Sequence, residues 1–441
     1  MKEKNRYLTT FYFSITAITF FAVSVFIFTT LFGDLLVTDN KEPVKIYFAD
    51  NISPSHKSAI EKFNRLYKGE IEVIPVDLPF EKFTTNERKE LLIRYLRGKS
   101  ERLDIFSVDQ IWVPRFAKFA TPLGEYFTSI EREEIVPEAL QSCYYNGQFI
   151  SVPLFFDIGV MYYRKDKLKK LPGYPDIKKK LDSSITWNEF ITLGERISQS
   201  GSPYYLFAGD AYEGLMCSFM ELIASQNGSL LENGKIKINT TESRRAIALL
   251  RDLIYKYKLT PPEVTNFTEN ESYAYYVRND GFFLRSWPGF ITWYRNNVDS
   301  RGDTLLFGRA PIPRFDGGKS RSTIGGWYLM LSKYSEKKKE AAKFIKFLLN
   351  NDIQKEFYYS GYLPVTESVY SDSSFIKKNP DIEFYYSLLK NAVRRPFVEK
   401  YTRYSDVISY HINRALKNKI SVNEALTEIE RIINSEIETG F

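Results

Sequence analysis

The sequence predicts an α/β protein that carries one N-terminal transmembrane helix. Its 441 residues suffice for two or more domains, and 44% hydrophobic and 26% charged residues are typical of globular proteins. Beyond residue 44, segments with strand alternation and segments with helical spacing follow one another in the order β-α-β-α-β. Short connections in this order favour a parallel sheet covered by helices.

The N-terminal segment has no charged side chain from Tyr7 to Gly33. It exceeds the ~20 residues that a helix needs to span a bilayer, and basic residues precede it while Asp34 follows it. A cleaved secretory signal is the alternative, but its apolar region is usually only ~7–15 residues. We therefore expect a single-pass protein of the cell membrane with an extracytoplasmic main part. The predicted segments are a cytoplasmic tail (1–6), a signal-anchor helix (7–33) and a linker (34–43).

The first strands of the main part indicate where a ligand would bind. Open α/β sheets bind ligands beyond the carboxyl ends of their strands. The first residues to consider are therefore Asp50 and Asn51 after one strand, and 109–112 after another. The predicted elements up to this point are strands at 44–48, 71–76 and 104–108 and helices at 55–67 and 87–96.

Charge and composition exclude several classes of function. The net charge of +7 is small for this length and its basic residues are dispersed, which argues against nucleic-acid binding. The two cysteines, Cys143 and Cys217, and the two histidines show no metal-ligand spacing, so no metal or cofactor is expected. The cysteines are expected to be buried free thiols, with a disulfide as the alternative.

A series of motifs, in a characteristic order, runs through the chain. The motifs are TTNER (84–88), LRGKS (96–100), DIFSVDQIW (104–112), VPLFFDIGVMYYRKD (152–166), TWNEF (186–190), LRSWP (284–288), APIP (310–313), GGW (325–327), GYLP (361–364) and RRP (394–396). From about Val44 to Ile420 the chain resembles the family 1 extracellular solute-binding proteins, on the trehalose- and maltose-binding side. The lipid-anchor cysteine that is usual in that family is missing here.

The resemblance implies a two-lobed periplasmic-binding-protein fold of type II, with a hinge and a cleft between the lobes. Lobe 1 is expected to hold 44–155 and 307–342, and lobe 2 to hold 156–306 and 343–441. The implied function is that of a monomeric, non-enzymatic receptor. It would capture a small sugar or oligosaccharide and deliver it to the permease subunits of an ABC importer.

A sugar site combines aromatic faces for the C–H surface of the sugar with planar polar groups for its hydroxyls. The residue types and the resemblance together give ten candidate ligand-binding residues. They are Asp109, Trp112, Phe155, Asp157, Trp287, Gly325, Trp327, Arg395, Arg88 and Tyr401. Structural alternatives are a helix cap for Asp109, a turn acid for Asp157, a surface ion pair for Arg395, and core packing for Trp112, Phe155 and Tyr401.

Two other functions stay open at this point. A membrane-anchored glycoside hydrolase would need two carboxylates beside a glycosidic bond, and Asp109 and Asp157 would be its candidates. A sugar-sensing module for a signalling partner would act through that partner's ectodomain, because the cytoplasmic tail is short.

Overall fold

The structure is a computed structural model that describes residues 2–36, 42–79, 85–197, 201–299 and 306–438. Within helices, the side chains of 2–10, 28, 29, 31–36, 85, 86 and 436–438 are outside the description. The strands are β1 Val44–Asp50, β2 Ile71–Asp77, β3 Ile105–Asp109, β4 Tyr144–Tyr145, β5 Gln148–Phe149, β6 Val152–Ile158, β7 Val160–Arg164, β8 Tyr205–Leu206, β9 Leu231–Glu232, β10 Lys235–Ile236, β11 Phe283–Ser286, β12 Phe307–Ala310 and β13 Ile324–Leu331.

Helices pack against both sheets and form the part of the chain that follows β13. They are α1 Lys2–Leu36, α2 Pro54–Leu66, α3 Thr85–Arg97, α4 Val113–Phe116, α5 Ser129–Glu133, α6 Pro137–Leu140, α7 Lys165–Leu168, α8 Tyr174–Asp182, α9 Trp187–Ile197, α10 Glu213–Ser225, α11 Thr241–Tyr255, α12 Glu269–Arg278, α13 Phe290–Asn297, α14 Lys338–Leu348, α15 Asn351–Tyr359, α16 Glu367–Tyr370, α17 Ser373–Lys378, α18 Asp381–Leu389, α19 Tyr401–Leu416 and α20 Val422–Glu438.

The first sheet has the strand order β2-β1-β3-β13-β6. β1 pairs in parallel with both β2 and β3, as the alternation of strands and helices predicts. β13 then pairs antiparallel with β3 on one side and β6 on the other. The carboxyl end of β3 thus lies next to the beginning of β13 and the end of β6.

The second sheet has the order β12-β7-β11-β8. β6 ends at Ile158 in the first sheet and β7 begins at Val160 in the second, so the chain passes between the sheets at Gly159. It returns between β12 and β13, and passes a third time between α18, which contacts β6, and α19, which contacts α10 and α11. The molecule is therefore two-lobed with three crossover segments, lobe 1 around the first sheet and lobe 2 around the second.

The predicted lobe boundaries are wrong for two segments. β12 was assigned to lobe 1, but it pairs with β7 in the sheet of lobe 2. The chain from residue 343 was assigned to lobe 2, but α14 contacts α2 and β1, and α15 contacts α2, which places both helices on lobe 1. The apolar face of α14, with Phe344 and Ile345 fully buried, is what directs this helix onto the first sheet.

The N-terminal segment forms the helix α1, whose described side chains are exposed. Among the residues that the structure describes, none belongs to a helix long and apolar enough to cross a membrane. The transmembrane helix predicted at 7–33 is therefore not confirmed.

Two further sequence predictions are confirmed. Cys143 and Cys217 are free and buried, so the disulfide alternative is wrong. At the start of α9, Thr186 accepts a hydrogen bond from the Glu189 amide at 3.2 Å, and the Glu189 carboxylate accepts one from the Thr186 amide at 3.1 Å. This is the capping box that the sequence predicts.

Candidate ligand-binding site

Five of the predicted residues meet where three strands of lobe 1 run side by side. Trp327 of β13 pairs with Asp109 of β3, and on its other side with Phe155 of β6. Gly325 pairs with Asp157 of β6. Because paired strands lie only ~4.8 Å apart, sheet register alone brings these residues together.

Arg395 links the two lobes through carboxylates. Its Nη2 lies 2.6 Å from Oδ1 of Asp109 in lobe 1, and its Nη1 lies 3.0 Å from Oε1 of Glu213 in lobe 2. The Tyr401 hydroxyl donates to the same Glu213 oxygen at 2.9 Å, and the Ser405 hydroxyl donates to the other. The Arg395 side chain is only 3% exposed, so the surface-ion-pair alternative is wrong.

Asp109 caps a turn, as the structural alternative predicts, and it also contacts Arg395. Besides the contacts with Arg395, its Oδ1 accepts a hydrogen bond from the Ile111 amide at 3.3 Å and caps the turn that follows β3. Capping fixes the side chain at the carboxyl end of the strand, where it meets Arg395. The cap and the place in the cluster are therefore compatible.

Asp157 is a carboxyl group in an acidic neighbourhood. Burial raises its pKa, Glu269 and Asp109 raise it further, and Arg285 and Arg395 only partly oppose them, which brings the pKa to about 8. The group is therefore protonated at neutral pH and can donate a hydrogen bond as well as accept one. A hydroxyl-rich ligand offers acceptors for such a donor.

Trp287 approaches this group from lobe 2. Its Nε1 donates to Oε1 of Glu269 at 3.2 Å, and the Arg285 guanidinium lies 4.2 Å from the centre of its ring. A Cβ added at Gly325 would lie 3.7 Å from the Trp287 ring and 3.4 Å from Asp157. The ring edge thus faces lobe 1, and one face is covered by a cation.

One face of the Trp327 ring packs against a buried ion-pair cluster. The Arg88 guanidinium lies 4.3 Å from the ring centre, and Arg88 Nη2 lies 3.2 Å from Oδ1 of Asp50. Nε2 of His56 lies 3.4 Å from the other Asp50 oxygen. Burial alone would raise the pKa of Asp50, but His56 and Arg88 outweigh it and lower that pKa.

Trp112, Phe155 and Tyr401 are buried, as the core-packing alternative predicts for each. Trp112 meets Trp327 edge to face at 5.7 Å, and Phe155 lies against Tyr362 at 4.1 Å. Trp112 and Phe155 thus support the ring of Trp327 and the strand of Asp157 from behind. Their part in ligand binding stays a prediction.

Several polar residues of lobe 2 near this group were not predicted from the sequence. Glu213 and Glu269 open the helices α10 and α12, and Tyr212 donates a hydrogen bond to Glu269. An acid in the first turn of a helix is common because it complements the helix dipole. Nothing in the sequence therefore distinguishes these two residues from the acids at ordinary helix starts.

A cavity of about 320 Å³ opens beside Arg395, between α10 and the third crossover segment. This size lies at the lower end of the range for small-molecule pockets. The described residues contain no group of three or more His, Cys, Asp or Glu side chains that could hold a metal ion. The residues that line the cavity are Met220, Ile223, Ala224, Gly228, Ser229, Leu230, Leu231, Val393, Arg394, Arg395, Pro396 and Phe397.

Comparison with known proteins places this architecture among receptors for solutes. The sequence model of the bacterial extracellular solute-binding protein family matches residues 49–355. A probable ABC transporter-binding protein of Deinococcus radiodurans is 30% identical over 358 residues, which cover 78% of this chain and 83% of the relative.

Solved structures agree in fold. The maltose-bound MalE3 of T. maritima is 31% identical with a TM-score of 0.78, and the match covers 89% of this chain and 99% of MalE3. A solute-binding protein of Thermotoga lettingae with bound α-D-tagatose has a TM-score of 0.77 at 20% identity, covering 90% of this chain and 99% of that one. At that identity the likeness concerns the fold alone.

Proposed function

Because the chain belongs to the bacterial extracellular solute-binding protein family, we propose that it binds a small sugar or oligosaccharide between its lobes and delivers it to the permease subunits of an ABC importer. The maltose in the 31%-identical relative supports a sugar, and the name of the Deinococcus relative supports an ABC transporter. In this proposal the protein performs no chemistry on its ligand.

The observation that carries the proposal is the meeting of Trp287 from lobe 2 with Asp157 and Gly325 from lobe 1. The indole of Trp287 suits the C–H face of a pyranose, while Asp157, Asp109 and Arg395 offer donors and acceptors for hydroxyls. A site that hydrogen-bonds hydroxyls discriminates strongly against ligands that lack them.

Ligand binding and lobe closure are coupled in this arrangement. A sugar that stacks on Trp287 and bonds to Asp157 contacts both lobes, so it binds the closed form more tightly than the open form. Such a difference in affinity is what shifts a conformational equilibrium. The closed, loaded form is then the one that docks on the permease.

The experiment is a thermal-shift and calorimetric screen of the full chain against maltose, trehalose, maltotriose, tagatose and ribitol. A ligand that binds only the native state stabilises it by RT ln(1 + [L]/Kd), which is ~2.7 kcal/mol at a 100-fold excess over Kd. We expect at least one of the glucosides to raise the melting temperature. A flat response to all the compounds would contradict the proposal.

Absence of catalysis is part of the proposal. Asp109 is held by Arg395 and by the Ile111 amide, which suits a fixed hydrogen-bonding group better than a mobile acid or base. Incubation with maltotriose should therefore release no new reducing ends. Release would favour the hydrolase alternative.

The membrane anchor, the extracytoplasmic location and the monomeric state also remain proposals. The anchor rests on the uncharged stretch from Tyr7 to Gly33 and on the exposed apolar side chains of its described part, such as Phe13 and Phe20. The full chain should stay with the membrane pellet after carbonate extraction. Recovery in the supernatant with a mature N-terminus near residue 35 would instead indicate a cleaved signal.

A further inference from the structure

The three crossover segments meet side by side between the lobes. The Gly159 amide donates to the Thr323 carbonyl at 3.0 Å, and the Ile324 amide donates to the Val393 carbonyl at 3.0 Å. Every change in the angle between the lobes must pass through the backbone of these few residues. Groups that bond to this point are therefore placed to influence lobe closure.

Glu221, on α10 of lobe 2, bonds directly to this meeting point. Its Oε1 accepts a hydrogen bond from the Thr323 amide at 3.0 Å, and the Thr323 hydroxyl donates to the Cys217 carbonyl one turn earlier on α10 at 2.9 Å. A Cβ built on Gly159 would lie 2.0 Å from the same Oε1, so the carboxylate occupies the space that glycine leaves free. One carboxylate thus touches two of the three crossover segments.

The same carboxylate holds the cation that lies on Trp287. Arg285 donates to Glu221 from Nη2 at 2.7 Å and from Nε at 3.1 Å, and both side chains are 1% exposed. The Arg285 guanidinium lies 4.2 Å from the centre of the Trp287 ring. A continuous set of contacts therefore runs from the crossover segments through Glu221 and Arg285 to the indole.

We propose that Glu221 is a positioning residue for ligand binding, which ties the crossover segments to Arg285 and so couples lobe closure to the placement of the Trp287 ring. When the crossover backbone changes conformation, the hydrogen bond from the Thr323 amide to Glu221 changes with it. A shift of the Glu221 carboxylate then moves Arg285, which is bound to it by two hydrogen bonds. The ligand-stacking role of Trp287 in this inference rests on the proposed function. The coupling of Glu221 to the lobe angle does not.

If the Glu221–Arg285 ion pair served only to stabilise the fold, a different result would be expected. Buried ion pairs can often be replaced by apolar residues of similar volume without loss of stability, whereas removal of one partner is strongly destabilising. A double substitution that restores stability therefore separates the two roles. If the pair only stabilises the fold, recovery of stability should bring recovery of binding.

The test compares three forms of the full chain with the wild type: E221Q, the double variant E221M/R285M, and the control D166N. Asp166 accepts a bidentate contact from Arg164 at 2.8 and 2.6 Å in lobe 2, in a more exposed position, and among the described residues it has no bond to the crossover segments. The measurements are the melting temperature, the Kd for maltose by calorimetry, and the radius of gyration with and without maltose by small-angle X-ray scattering.

We expect E221Q to weaken maltose binding about tenfold, as is typical of residues that couple a site to a conformational change. In E221M/R285M the melting temperature should recover towards the wild type while the Kd stays weak, and D166N should leave the Kd unchanged. Wild-type affinity in E221M/R285M would overturn the inference. If E221Q does not fold, the maltose Kd of E221M/R285M alone tests the inference: a weak Kd supports it and a wild-type Kd overturns it.

Failure of the proposed function gives a different result. If the wild type binds maltose and every other sugar of the screen too weakly to measure, the sugar proposal fails, and the unliganded scattering curves decide this inference. Coupling to the crossover segments then requires that E221M/R285M differ from the wild type in radius of gyration while D166N does not. Identical curves for all three would overturn it.

Discussion

At the scale of single residues, the site depends on side chains that are fixed by neighbours on both lobes. Trp287 is held by Glu269 and Arg285, Trp327 by Arg88, and Asp109 by Arg395. Such preorganisation reduces the conformational entropy that a ligand must overcome on binding. Single substitutions of these residues should accordingly weaken ligand binding strongly, and each should have its own characteristic effect.

Trp287→Ala should weaken sugar binding by ~2 kcal/mol or more, about 30-fold in Kd, because it removes an aromatic anchor at the centre of the site. Its half-buried ring makes a smaller contribution to the ligand-free fold, so the melting temperature without ligand should change little. The control is Trp293→Phe, on the neighbouring helix α13, where the ring packs against Phe290 and Tyr273. A large loss of ligand-free stability in Trp287→Ala would make Trp287 a core residue.

Asp157 should make the stability of the ligand-free protein dependent on pH. Its pKa is about 8 in the fold and 3.8 in the unfolded reference, so between these values the native state keeps a proton that the unfolded state has lost. Stability therefore falls as the pH rises from about 4 to about 8. Burial is the main cause that opposes ionisation of Asp157, and the Glu269 and Asp109 carboxylates oppose it further, while Arg285 and Arg395 only partly assist it.

Urea unfolding at pH 5 and at pH 8 measures this effect. We expect Asp157→Asn, which stays neutral, to lose less stability between the two pH values than the wild type does. An equal loss in both proteins would show that Asp157 titrates normally.

At the scale of elements, the predictable features are those encoded in local sequence periodicity. β1 to β3 with α2 and α3 follow the predicted order, and α9 begins with the predicted capping box. The four-residue strand β12 was misassigned because its partner β7 lies far away in the sequence, and periodicity contains no information about such pairing. Glu213 and Glu269 were not predicted for a related reason. Only the tertiary fold brings the starts of these two helices close to the other residues of the candidate site.

Thr186→Ala should lower the free energy of unfolding by ~1 kcal/mol, because it removes the side-chain acceptor from the N-terminus of α9. The maltose Kd should not change, since the cap is not among the contacts of the site. Thr192→Ala, at an exposed position of the same helix, is the control and should change stability less. Equal effects of the two substitutions in a urea titration would indicate that the cap contributes nothing.

At the scale of the whole molecule, two lobes meet across a cluster of opposite charges. Arg395 neutralises Asp109 of lobe 1 and Glu213 of lobe 2, so a single guanidinium contributes to holding the lobes together. The sequence indicated Asp109 and Arg395, but not that a third group joins them. The relative position of the lobes should therefore depend on the positive charge of Arg395.

Arg395→Gln should leave two largely buried carboxylates, 14% and 18% exposed, without their cation and cost up to about 3 kcal/mol of stability. It should also favour separation of the lobes, which small-angle scattering would record as a larger radius of gyration without ligand. Arg394→Gln, whose neighbours are the Glu138 carbonyl and Gln141 of lobe 1, is the adjacent control. An unchanged radius in Arg395→Gln would mean that other contacts fix the lobe angle.

The position of β13 inside the first sheet, between β3 and β6, has a consequence for how the chain is made. β13 separates β3 from β6, yet it follows the whole second sheet in sequence. A nascent chain can therefore complete the sheet of lobe 2 with β12 at residue 310 before the sheet of lobe 1 receives β13 at 324–331. The sheet of lobe 1 is consequently finished after the sheet of lobe 2, and until then its β3 and β6 edges are unpaired and in need of protection from aggregation.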